Sequence, residues 1–212
     1  MSKSLYSLIL NDEVVQKIDK MARINGMSRS NMIEKLLADA VGYETPQMRA
    51  GNIFEEIEKL LATSGSMRYL ANQSQYMASI ISALDYRYNP AIKYSVELFP
   101  NSKHLGQLKV TLRTQNSILI DLLSDFFNIY AYLEKAHYNS GAVHLFESNR
   151  FTRLFDFPKT AITTKELAEK LTLYVKHFDE LLNLYFNNLD SKNLLSIIEQ
   201  RFIVLKMNEI VI

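Results

Sequence analysis

The chain has 212 residues, 48% of them hydrophobic and 22% charged, with 24 Lys and Arg against 23 Asp and Glu. A formal charge of +1 excludes a protein that holds polyanions by bulk charge, and the absence of Cys excludes disulfides, thiol catalysis and thiolate metal sites. No run of about 20 uncharged apolar residues is present and Lys3 is not followed by a leader-like apolar helix, so a cytoplasmic (bacterial or archaeal, nucleoid-associated) protein with no membrane partner is expected.

Ser4-Leu5-Tyr6-Ser7-Leu8-Ile9-Leu10 has the aromatic and aliphatic content of a strand and contains neither Gly nor Pro. Asn11-Asp12-Glu13 supplies a cap and acidic first-turn residues for a helix. Val15, Ile18 and Ala22, flanked by Val14 and Met21, recur at helical spacing up to Ile24. Asn25-Gly26 ends that run, because Gly readily takes the left-handed conformation of a helix C-cap. Ser28 caps a second helix with the stripe Met32, Ile33, Leu36, Leu37, Ala40 and Val41, which stops at Gly42. A strand and two short helices bury too little apolar surface to stand alone and leave the strand unpaired. A two-fold homodimer, in which the strands of two chains pair antiparallel over four helices, relieves both deficits.

Through these residues the segment resembles the ribbon-helix-helix DNA-binding family of the Arc/MetJ/CopG type. The match is carried by Leu5–Leu10, by Lys20-Met21-Ala22-Arg23 and above all by Gly26-Met27-Ser28-Arg29-Ser30-Asn31-Met32-Ile33. The last run has the family's turn pattern of Gly, an apolar residue, Ser, a basic residue and Ser. The resemblance is confined to residues 1–43. It implies a two-stranded ribbon in the DNA major groove, with Lys3, Leu5, Ser7 and Ile9 toward the bases and Tyr6, Leu8 and Leu10 turned inward. It also implies phosphate anchoring by Ser28, Arg29, Ser30 and Asn31, where the free N–H groups of an opening helix attract phosphate oxygens. Leu5 and Ile9 depart from the pattern, since members usually carry Arg, Lys, Thr, Asn or Gln at outward positions. Aliphatic side chains touch thymine methyls but cannot make the bidentate bonds that discriminate bases by ~1–3 kcal/mol each. Residues 1–44 carry six Lys or Arg and six Asp or Glu, so affinity has to come from an oligomer that concentrates a few contacts.

Thr45-Pro46 marks the junction with a second domain, 46–212. Ile53, Ile57, Leu60 and Leu61 form one helical stripe ending at Ser64-Gly65. Met67–Leu84 reads as a second helix through Leu70, Tyr76, Met77, Ile80, Ile81 and Leu84. Residues 92–99 and 107–113 alternate around a turn-rich loop and form a β-hairpin, with Tyr94, Val96, Leu98, Leu108, Val110 and Leu112 on one face. Lys93, Glu97, Lys109, Thr111 and Arg113 fall on the solvated face. Ser117–Tyr138, Thr164–Leu189 and a last segment from Asp190 or Ser191 through Leu205 are helices, and Tyr138–Ile162 is an irregular connection with a short helix near Val143–Phe146.

The expected fold class is mainly α: an N-terminal ribbon-helix-helix (β-α-α, intertwined dimer), then a mostly helical oligomerisation or effector domain with one β-hairpin. His104, His137, His144 and His177 include no pair at the spacing that puts two ligands on one helix face, and His144 with Glu147 stands alone in a loop. No metal, no cofactor and no catalytic constellation is expected, hence no enzyme. The aromatic cluster Tyr86, Tyr88, Tyr94, Phe126, Phe127, Tyr130 and Tyr132 reads as core rather than as a pocket. The function implied is a sequence-specific DNA-binding transcriptional regulator, a repressor, acting on double-stranded DNA as a homodimer or a dimer of dimers. A plasmid-maintenance or relaxosome accessory protein, and an interaction protein that uses the ribbon only to dimerise, remain as alternatives.

Overall fold

The computed structural model describes residues 4–62, 65, 67–147 and 149–205, and they divide into two compact units, Met1–Arg49 and Ala50–Ile212. In the first unit, α1 (Asp12–Ile24) is capped by Asn11, whose Oδ1 accepts from the Glu13 N–H at 2.8 Å. Gly26, at φ +62°, supplies the left-handed residue that turns the chain into α2 (Arg29–Ala40), and Ser28 Oγ caps α2 by accepting from the Asn31 N–H at 3.2 Å. Ile18, Ala22 and Met32 are the buried centre of this unit, with Met27, Ile33 and Leu36 packed around them. Leu37 and Val41, expected in the buried stripe of α2, are instead exposed. Residues 4–10 form no strand. Within one chain the segment has no neighbouring strand to complete its backbone hydrogen bonds.

The helix α3 (Pro46–Ala62) starts on its Pro, a residue pre-set for the first helical position, with Thr45 Oγ1 accepting from the Met48 N–H. Its Ile53, Phe54, Ile57 and Leu61 join the core of the second unit. Six strands follow: β1 (Met67–Ser74), β2 (Met77–Ala83), β3 (Ala91–Leu98), β4 (Gly106–Leu112), β5 (His144–Glu147) and β6 (Arg150–Phe155). Between β4 and β5 runs α4 (Ser117–His137), and after β6 come α5 (Thr164–Asn187) and α6 (Leu194–Val204). The strands form one sheet in the order β1-β2-β3-β4-β6-β5, antiparallel throughout.

This architecture corrects the expected mainly α class: the second unit is built on a six-stranded antiparallel sheet, and the chain is an α/β protein. Met67–Leu84 is a hairpin rather than a helix. Its two strands meet at Gln75–Tyr76, a turn with neither Gly nor Pro, so nothing interrupts the sequence pattern where the chain reverses. Tyr138–Ile162 holds the β5–β6 hairpin rather than an irregular connection with a short helix. There Arg153 occupies an inward strand position between Phe151 and Phe155, which breaks the apolar alternation.

One face of the sheet is apolar and covered. Pairing places Ile80, Tyr94, Val110 and Phe151 in one row and Ala78, Val96, Leu108 and Arg153 in the next. From α4, Phe127 packs on Phe151, and from α5, Phe178 meets Tyr94 and Phe151. Asp179 of α5 accepts from Tyr94 OH at 2.8 Å and Ser82 Oγ at 3.1 Å, which fixes that helix over the sheet. A capping box at Thr163 and Glu166 sets where α5 begins.

Gly106 opens β4 against β3 so closely that a Cβ there would stand 2.0 Å from the Glu97 carbonyl oxygen. Replacing Gly106 by Ala forces the two strands apart, and a loss of about 1–3 kcal/mol in urea unfolding is expected. Unchanged stability would show that the strand ends are not held together there.

Candidate nucleic-acid interface

The residues expected to read bases lie in the segment ahead of α1, which forms neither helix nor strand. Leu5 and Ile9 are fully exposed at 97% and 103%, and Tyr6 and Leu8 are exposed beside them. Ser7 is exposed in the same stretch, while Lys3 lies outside the described residues. Val14, Met21, Ile24, Leu37, Val41 and Tyr43 add further exposed apolar surface to the unit. Against a buried centre of three residues this is a large excess of uncovered apolar side chains.

The expected phosphate anchors stand at the opening of α2. Ser28, Arg29 and Ser30 are exposed and Asn31 is half-buried. Ser28 Oγ is engaged by the Asn31 N–H, so it completes the helix cap. Arg29 makes a bidentate pair with Asp19 of α1, Nε to Oδ1 and Nη2 to Oδ2, each at 2.6 Å. The hydrogen bond from Arg29 holds the Asp19 carboxyl below its ordinary range, and Asp19 in turn raises the guanidinium. The sequence stripe gives no warning of this pair, which forms because the Gly26 turn folds α2 back along α1. Solvent screens an exposed pair of this kind, so a phosphate oxygen can take the place of the carboxylate.

Comparison with protein-family models, with curated proteins and with solved structures gave no match to this chain. The functional reading therefore rests on the residues themselves. Among the described residues, no helix is long and apolar enough to cross a membrane.

The second unit contains a polar constellation that the sequence did not signal. Glu134 of α4 and Arg153 of β6 are both 0% exposed. Glu134 Oε1 accepts from Arg153 Nε at 3.0 Å and Nη2 at 2.8 Å, while Oε2 accepts from Tyr174 OH at 2.8 Å and lies 2.8 Å from His144 Nε2. Burial alone would push the Glu134 carboxyl up, but His144 and Arg153 together hold it below the ordinary range. Arg153 also lies over the rings of Phe155 and Tyr174, with 5.2 Å and 5.6 Å from Cζ to the ring centres. His144 sits in a strand and turns to Glu134. Glu147, three residues on, pairs instead with Arg150, because residues three apart in a strand point to opposite faces. The Glu134 carboxylate is saturated by its neighbours, and the group ties α4, α5, β5 and β6 together as structure.

The aromatic cluster divides. Tyr94, Phe126, Phe127 and Tyr130 are buried in the core, whereas Tyr88 and Tyr132 are exposed.

Proposed function

We propose that this protein is a sequence-specific DNA-binding transcriptional regulator, a repressor by the resemblance of its first 43 residues, acting as a homodimer on double-stranded DNA. The observation that carries the reading is the uncovered apolar surface of the first unit: Leu5, Tyr6, Leu8 and Ile9 in a segment outside any sheet, directly ahead of two helices with a three-residue buried centre. A second copy supplies what the segment lacks. Its own Leu5–Leu10 would complete the backbone pairing, and Tyr6, Leu8 and Leu10 would be covered between the copies. Leu5, Ser7 and Ile9 would then face the major groove, where the aliphatic pair suits thymine methyls and Ser7 supplies a polar contact. At the flanks, the N–H groups at the start of α2 and the Arg29 guanidinium would take a backbone phosphate, with Arg29 leaving Asp19 to do so.

A second reading draws on the aliphatic character of Leu5 and Ile9 and on the Arg29–Asp19 pair: the same segment could serve only to bring two chains together. Salt-dependent binding of the full chain to DNA fragments flanking its own gene separates the two. The regulator binds one fragment in preference, and Arg29→Ala lowers the slope of log affinity against log salt by about 2 per dimer, one phosphate contact per protomer. Asp19→Ala, which releases Arg29, strengthens binding. No preference among fragments, with Arg29→Ala and Asp19→Ala both silent, would establish the dimerisation reading instead.

A further inference from the structure

The sheet has two edges, β1 and β5, and they are finished differently. β1 is interrupted by an irregularity between Leu70 and Ser74, a common way of blunting an edge. β5 pairs regularly over all of His144-Leu145-Phe146-Glu147 and carries neither Lys nor Pro. Its apolar side chains are open: Leu145 is 54% exposed, Phe146 47%, and Val143, one residue ahead of the strand, 41%. The backbone is open as well. Val143 C=O accepts from the Leu154 N–H at 3.1 Å, which makes Val143 and Leu154 a hydrogen-bonded pair of the β5–β6 ladder. Alternation then gives the N–H and C=O groups of Leu145 and Glu147 to β6 and turns those of His144 and Phe146 outward. No described strand lies beyond them. The His144 side chain is 1% exposed, turned in to Glu134, yet the residue as a whole is half-buried, so the part of it that meets water is its backbone.

We propose that β5 pairs antiparallel with β5 of a second copy of this chain, about a two-fold axis at Leu145. The outward-facing residues are two apart, so a copy turned about Leu145 sets His144 opposite the partner's Phe146 and Phe146 opposite the partner's His144. Each of these pairs exchanges two hydrogen bonds, and the four bonds together use every outward N–H and C=O of both strands. A copy centred on Phe146 would make fewer, because His144 would then meet the turn that follows Glu147. At the axis, Leu145 meets the partner's Leu145 in a non-hydrogen-bonded position, where Cα atoms approach to about 4.5 Å. Glu147 falls opposite the partner's Val143 rather than its own copy, so no like charges face one another. A strand edge whose own register satisfies itself under a two-fold favours a second copy over an unrelated strand. This contact goes beyond the pairing proposed for the first unit and does not depend on it: a chain with both joins dimers into a tetramer.

Light scattering of the full chain at a fixed concentration tests the contact. Leu145→Lys puts two ammonium groups opposite each other across the axis and Leu145→Glu puts two carboxylates there, so each variant alone has half the wild-type mass. An equimolar mixture of the two returns to the wild-type mass, because a Lys then faces a Glu. Tyr88→Lys, a fully exposed aromatic at the β2–β3 turn, away from this edge, serves as the control and leaves the mass unchanged. The halving is read whether the variant is left as a dimer through its first unit or as a monomer, so this contact and the DNA-binding reading fail separately. Both single variants at the wild-type mass would leave the edge to some other strand and overturn the proposal. Half mass that mixing does not restore would trace the effect to damage within the chain and overturn it equally.

Discussion

Replacing Glu134 by Ala costs about 3–5 kcal/mol of folding free energy, because it strands the Arg153 guanidinium in the core without its counter-charge. His144 Nε2 and the Tyr174 hydroxyl lose their acceptor in the same step. With no Trp in the chain, urea unfolding is followed by circular dichroism, and the two units are fitted as separate transitions. Removing both charges together, with Glu134→Leu and Arg153→Met, restores most of the loss, since the cost lies in the unpaired charge more than in the missing pair. A single variant within 1 kcal/mol of wild type would mean that the charge reaches water.

The same carboxylate sets an acid limb. Its value in the folded chain lies below the ordinary one, so its stabilisation is fully present above the ordinary carboxylate range, about pH 4.3. It is lost as pH falls from there through the folded value, and the Glu134→Ala variant has a correspondingly shallower acid transition. Asp179 acts with the opposite sign. Burial raises its carboxyl, partly offset by the hydrogen bonds from Tyr94 and Ser82. It therefore costs stability as pH rises from the ordinary carboxylate value through its own.

Phe178→Ala removes the ring at the centre of the second unit, and a loss of about 3–5 kcal/mol is expected. The Phe178 ring centre lies 4.4 Å from that of Tyr130, 5.1 Å from Phe151 and 5.5 Å from Phe126, with Tyr94 and Phe127 beyond them at 6.1 Å and 6.3 Å. Residues from α4, β3 and β6 all border the space it would vacate, so no single element can collapse into it. Phe178→Leu keeps most of the volume and costs less than half as much by the same urea measurement. If Phe178→Ala cost under 1 kcal/mol, the core would have to be able to close over the gap.

The helices were legible wherever amphipathic spacing ran long enough. Ser117–His137 and Thr164–Asn187 are written in apolar stripes at three and four, and the hairpin of residues 91–112 is written in clean alternation around a Pro-led turn. The rest of the sheet was hidden by local chemistry. Gln75–Tyr76 reverses the chain without a turn residue, and Arg153 takes an inward place that the binary pattern reserves for an apolar side chain. Arg153 can stand there only because Glu134, nineteen residues earlier on a different element, meets it. A pairing that distant leaves no periodic trace. At the candidate interface, the caps of α1 and α2 followed from Asn11 and Ser28. The engagement of Arg29 by Asp19 depends on how the two helices cross, which spacing along the chain does not encode.

Strands β1 to β4 are neighbours both in the chain and in the sheet, so their pairing closes only short loops, whereas β6 returns to β4 across the whole of α4. Local pairings form early because little loop entropy opposes them. During synthesis, four strands can therefore be in place before α5 has been made. For that interval Tyr94, Val96, Leu108 and Val110 present an apolar sheet face to water, and that is when the growing chain most needs protection from its neighbours.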